Sequence, residues 1–127
     1  MEIRESAEMY LETILVLSKR GEVRSIDIAR EMDFSRASVS VTVHALEDDN
    51  YIKFDEKGRI TLLPKGIAIA SEIYDRHVVL SGFLISIGVE EELANRDACK
   101  MEHAISHKTF EALKSYIEKN KGKKKAK

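Results

Sequence analysis

From Glu5 to Ser18 the apolar residues Tyr10, Leu11, Ile14, Leu15 and Leu17 recur at intervals of three and four, the period of an amphipathic helix. Gly21, after the charged pair Lys19 and Arg20, ends that helix. A shorter helix follows from Ser25 to Met32, with Ser25 as its N-cap and Ile28 and Ala29 facing inward. The segment "MDF" turns the chain tightly. A third helix opens at a second cap, Ser35, and runs to about Asp48, with Val39, Val43 and Leu46 as its inward stripe. The period then shortens. Tyr51 to Phe54 and Arg59 to Leu62 read as two strands, with "DEKG" as the hairpin turn between them.

Pro64 suits the first turn of a long helix reaching about Ile87, where Gly88 stops it. Ile67, Ala70, Ile73, Val78, Leu80, Phe83 and Leu84 are its apolar candidates. A short acidic helix around Glu90 to Asn95, a helix bearing Cys99, and a last helix from Lys108 to Asn120 are expected beyond it. There are no internal repeats. One Pro, six Gly and 43% hydrophobic residues agree with a mainly α protein able to bury a core.

Helix, short helix, turn, helix and a two-stranded wing are the order of a winged helix-turn-helix. The expected fold is thus an N-terminal winged helix-turn-helix over residues 1–63. A helical domain over 64–118 and a basic flexible tail over 119–127 would follow. Opposite its core stripe, the third helix presents Ala37, Val41 and His44, flanked by Ser38 and Ser40. This short-chained, uncharged face would let a DNA major groove approach closely. Serine hydroxyls bond phosphates or base edges, and Val41 could touch a thymine methyl. Ser35 and Arg36 at the helix start, and Lys57 and Arg59 in the wing, are further candidate contacts to double-stranded DNA. The same pattern also fits a trihelical core that binds protein, or whose exposed face does nothing.

Charge adds little to this choice. The formal net charge is −1, but the six lysines of "KNKGKKKAK" hide a charge of −7 on the rest. Such a tail is a solvated end or an arm that touches phosphates. No apolar run is long enough to span a membrane, and the acidic start lacks a signal-peptide core. A single cysteine forms no internal disulfide, which fits a reducing, cytoplasmic setting.

Within "ACKMEHAISH", Cys99, Glu102 and His103 stand at i, i+3 and i+4, so one helical face carries a thiol, a carboxylate and an imidazole. These could be three unrelated side chains, a Cys–His nucleophile pair, or metal ligands. No oxyanion feature or small-molecule substrate pocket can be read, so an enzyme is not expected. "SAEMYLETI" puts Met9 and Glu12 on one side of the first helix, and His77 lies on the long one. Met and Cys are soft donors. A set of Met9, Cys99, Glu102 and His103 favours Fe(II), Co(II), Ni(II) or Zn(II) over Mn(II), which prefers oxygen.

Taken together, "AEMYLETI", "IAREMDFSRASVSVTVHALEDDNYI", "ITLLPKG", "RH" at 76–77 and "ACKMEHAIS" resemble the iron- and manganese-dependent repressors. This is the family of the diphtheria toxin repressor and the manganese transport regulator, and the likeness runs from about Ser6 to Ser115. It implies that residues 64–118 are a helical metal-binding and dimerisation domain, and that a homodimer sits on a palindromic operator with a divalent metal as corepressor of metal-homeostasis genes. It also implies that Met9, Cys99, Glu102 and His103 match the regulatory site of the iron branch, while Glu12 and His77 match residues of the manganese branch. At the ancillary site of the iron branch stand His77, Ser81 and Asn95, so two of its three ligands are missing. Val41 replaces a polar residue of the iron-type recognition helix. A metal-independent winged-helix regulator and a structural zinc protein are the alternative readings.

Overall fold

The computed structural model describes the backbone of residues 5–125 and the side chains of residues 6–120. The chain forms two units, one running through Ile73 and the other beginning at Tyr74. Among the described residues no helix is long and apolar enough to cross a membrane.

The first unit holds α1 (Glu5–Ser18), α2 (Ser25–Met32), α3 (Arg36–Asp48), β1 (Ile52–Phe54), β2 (Ile60–Leu62) and the first turns of α4 (Pro64–Ser86). Its core is the one the periodicity predicts. Leu11, Ile14, Ile28, Val39, Val43 and Leu46 have no exposed surface, and Tyr10 and Ala29 are buried with them. The second helix begins differently from expectation. Its cap position is Arg24, whose backbone N–H donates to the Asp27 carboxylate at 2.9 Å, so Ser25 is already helical. Asp27 outcompetes the serine because a carboxylate one turn in can reach back to the free N–H groups of the helix start. Ser35 does cap α3, its hydroxyl accepting from the Ser38 N–H at 3.1 Å.

The wing is antiparallel, pairing Ile52 with Leu62, Lys53 with Thr61 and Phe54 with Ile60. It is fastened to the segment between α1 and α2 through the Ile60 N–H, which donates to the Val23 carbonyl at 2.7 Å. Just beyond it, Gly66 lies so close to Tyr51 that a Cβ there would overlap the Tyr51 carbonyl oxygen. This contact, with the burial of Ala70, ties the start of α4 to the wing domain.

The second unit holds the rest of α4, then α5 (Glu91–Ala104) and α6 (His107–Lys125). Leu80, Ala98 and Phe110 form its core, with Leu84, Met101 and Leu113 packed against them. Three expectations change. The short acidic helix and the helix bearing Cys99 are one element, α5, because nothing between Asn95 and Cys99 breaks a helix. The last helix continues past Asn120 to Lys125. Ile67 and Val78, expected inward on α4, are 45% and 50% exposed. Lys114 on α6 pairs with Asp75 on α4 at 3.1 Å, and this carboxylate holds the lysine above its ordinary pKa.

Candidate functional site

The last turn of α5 carries three donor side chains. Cys99, Glu102 and His103 each offer a ligand atom, and these atoms lie within 4.8 Å of one another. The i, i+3, i+4 spacing brings them to one face, as the sequence predicts. Glu102 is fully buried and the His103 side chain is 1% exposed, while Cys99 is partly exposed. From α4, the His77 Nδ1 lies 2.8 Å from Glu102 Oε1. With the carboxylate ionised, the imidazole N–H donates to it.

The other carboxylate oxygen is different. Glu102 Oε2 is buried and receives no hydrogen bond among the described residues; His103 Nε2 stands 3.4 Å away. Burying a carboxylate with one oxygen unsatisfied is costly unless a cation or a donor completes it. A thiol, an imidazole and a bare carboxylate oxygen on one turn are a donor set that fits a first-row divalent metal.

Met9 and Glu12 are on α1 in the first unit, both half-buried and three residues apart, hence on one side of that helix. Ser81 is buried and its hydroxyl donates to the Val78 carbonyl of its own helix, while Asn95 is exposed. Sequence reasoning passed over Arg76. It is 7% exposed, and its Nη1 donates to the carbonyl oxygens of Glu102 and Ile105 at 2.9 and 3.0 Å. Its signal in the chain was its place beside His77 in "RH", one of the motifs that carry the resemblance.

On α3, Arg36, Ala37, Ser38, Val41 and His44 are exposed, and Ser40 is partly so. Val41, at 73% exposure, is a bare apolar side chain on a helix whose opposite stripe is fully buried. Ser35 and Ser38 are bonded to each other, Oγ to Oγ at 2.9 Å. The His44 ring is fixed from two sides: Nδ1 lies 2.7 Å from the Ser40 carbonyl, and the ring stacks on Phe54 of the wing with centroids 5.2 Å apart.

In the wing, Lys57 is exposed but Arg59 is engaged. The Arg59 guanidinium reaches Glu22 at 2.9 Å and Asp55 at 2.6 Å. Glu22 is held below the ordinary carboxylate range chiefly by its hydrogen bond from Arg59. Asp55 is lowered as well, first by the Arg59 backbone N–H and then by the Arg59 side chain. Arg59 is raised in turn by the two acids. Its charge is therefore largely met within the protein.

Two family models match the chain. "Iron dependent repressor, N-terminal DNA binding domain" covers residues 2–59. "Iron dependent repressor, metal binding and dimerisation domain" covers residues 63–126. The chain is 33% identical over 122 residues to an uncharacterized HTH-type transcriptional regulator of Methanocaldococcus jannaschii, covering 94% of this chain and 98% of that protein. It is 30% identical over 118 residues to the transcriptional regulator MntR of Salmonella typhimurium, covering 92% of this chain and 75% of MntR. Among solved structures it is similar to the manganese regulator SloR, with a TM-score of 0.78 and 27% identity over 93% of this chain. The match spans about half of SloR, 55% of that chain.

Proposed function

The chain belongs to the iron dependent repressor family, and from that premise we propose a metal-responsive repressor that grips a palindromic operator as a homodimer. The corepressor is a divalent cation, Fe(II) foremost. The observation that carries this reading is Glu102, a fully buried carboxylate with one oxygen unsatisfied, flanked by Cys99, His103 and His77. Met9 and Glu12, which match ligand positions of the family, complete the proposed set.

A bound divalent cation would supply the positive charge that offsets an ionised Glu102. Cys99 and Met9 offer sulfur, which supports Fe(II) over Mn(II) and also admits Co(II), Ni(II) or Zn(II). The nitrogen and oxygen of His77 and Glu102 favour a second reading, Mn(II). DNA affinity rises only by the factor by which the donors hold the cation better in the DNA-competent arrangement. In that arrangement two α3 helices sit about 34–36 Å apart, one DNA turn.

On each half-site, Ala37, Ser38, Ser40, Val41 and His44 face the major groove. Arg36 and Lys57 contact phosphates, Ser35 caps the helix that carries the contacts, and Arg59 holds the wing in shape. The proposed place of action is the cytoplasm, where the operator and a free thiol are both found.

The test is an anaerobic Co(II) titration of metal-free protein, read at the thiolate-to-cobalt charge-transfer band, with operator binding measured alongside. The band should appear in the parent and vanish in Cys99→Ala. Cobalt binding without the band removes Cys99 from the ligand set and favours the Mn(II) reading. DNA affinity indifferent to chelator supports a metal-independent regulator. Melting on chelation supports a structural zinc protein.

A further inference from the structure

α5 ends at Ala104, so the carbonyls of its last turn lack the N–H partners of a continuing helix. The Ile105 N–H reaches back to Met101 at 3.3 Å. The next carbonyl, that of Glu102, is met by a side chain from another helix. Arg76 Nη1 donates to it at 2.9 Å and to the Ile105 carbonyl at 3.0 Å. The guanidinium also lies over Phe110, its carbon 5.4 Å from the ring centre. A cation at a helix C-terminus is favoured by the helix dipole as well as by these bonds.

We propose that Arg76 is a positioning residue of the metal centre, clamping the last turn of α5 so that Glu102 and His103 hold one orientation. The inference rests on the metal reading above and adds a residue that is not itself a ligand. Two successive residues of α4 then grip one residue of α5: Arg76 takes the Glu102 carbonyl and His77 takes its carboxylate at 2.8 Å. Neighbours on a helix point about 100° apart, so the two bonds restrain Glu102 from different directions. Arginine suits this role because the group that donates to both carbonyls also lays a planar face on Phe110; lysine supplies the charge without the face. Helix ends open locally far more easily than helix centres. Without the clamp the donors remain, but the turn must be ordered again each time a cation binds.

The experiment compares Arg76→Met and Arg76→Lys with the parent in two readouts. The first is amide hydrogen exchange of the metal-free chain. In Arg76→Met the amides of residues 103–105 should exchange at least ~10-fold faster, with Val43 in α3 unchanged. The second is the anaerobic Co(II) titration, where Arg76→Met should bind about 10–100-fold more weakly, the effect usual for groups that orient a ligand. Arg76→Lys should fall between Arg76→Met and the parent in both. Unchanged exchange at 103–105, or unchanged cobalt affinity, overturns the proposal. If Arg76→Met does not melt cooperatively, Arg76→Lys decides by the same readouts, and equality with the parent overturns it. A parent that binds no cobalt sinks the metal reading and this role with it. Cobalt binding in the parent with undiminished affinity in Arg76→Met sinks this inference alone.

Discussion

His77 Nδ1 lies 2.8 Å from Glu102 Oε1, a hydrogen bond between residues 25 apart in the chain. It satisfies one oxygen of a carboxylate with no exposed surface and leaves Oε2 without a hydrogen bond among the described residues. The site therefore holds a buried carboxyl group whose hydrogen-bonding capacity is only partly met.

Glu102→Gln tests that imbalance. The substitution keeps the size of the side chain and replaces the partly satisfied carboxyl group by a neutral amide, so metal-free protein should melt at the same temperature or higher. Co(II) affinity should fall by about 100-fold or more, beyond the effect of groups that merely orient ligands. Thermal melting and a cobalt titration check the two halves. A lower melting temperature with unchanged affinity would show Glu102 to be structural.

Gly66→Ala should destabilise the first unit. In an open helix the change would help by about 1 kcal/mol through helix propensity. Here the added Cβ meets backbone, the Tyr51 carbonyl group, with its carbon at 3.1 Å. Backbone does not swing aside like a side chain, so a net destabilisation of roughly 1–3 kcal/mol is expected. A urea titration measures it, and a midpoint at or above the parent's would contradict the close approach.

Exposed and internally paired cations should respond differently to salt. Removing one phosphate-binding cation lowers the slope of log affinity against log salt by about 0.9. Arg36→Ala and Lys57→Ala should each show that decrease. Replacing Arg59 together with Glu22 and Asp55 by uncharged residues should leave the slope nearly unchanged, because the arginine already sits between two carboxylates. A decrease by a full unit of slope in that triple variant would make Arg59 a phosphate ligand.

Acid should weaken the same cluster. Glu22 and Asp55 have folded-state pKa values depressed by Arg59, so their contribution to stability is complete above the ordinary carboxylate range, about pH 4. It is lost as pH falls through the depressed values, since the unfolded chain then binds more protons. Arg59→Leu removes the cause of the depression. The stability gap between parent and Arg59→Leu should thus narrow below about pH 4 and stay level from pH 5 to 7. Denaturant unfolding at several pH values reads it, and a gap widening in acid would rule the cluster out as its source.

What the sequence by itself determined is whatever a helix or strand encodes locally. The stripe Val39, Val43 and Leu46 is legible because apolar side chains three and four apart share a face whatever surrounds them. The same holds for Cys99, Glu102 and His103, which one turn of helix brings together before any tertiary contact forms. Ser35 as a cap and the hairpin between Phe54 and Ile60 belong here too.

Tertiary structure decided the rest. Ser25 yields the cap position because Asp27 reaches back to Arg24, and Ile67 and Val78 face outward despite their hydrophobicity. Arg59 reads as a DNA contact in the sequence, but Glu22, 37 positions away, shares its charge. Arg76 has no role in the sequence beyond its place in "RH" until the end of α5 supplies two carbonyls for it. In each case the partner lies on another element, and a contact between distant residues leaves no periodic trace in the chain. Local geometry follows from the order of side chains; the charge and hydrogen bonds each one finally satisfies depend on what folding brings beside it.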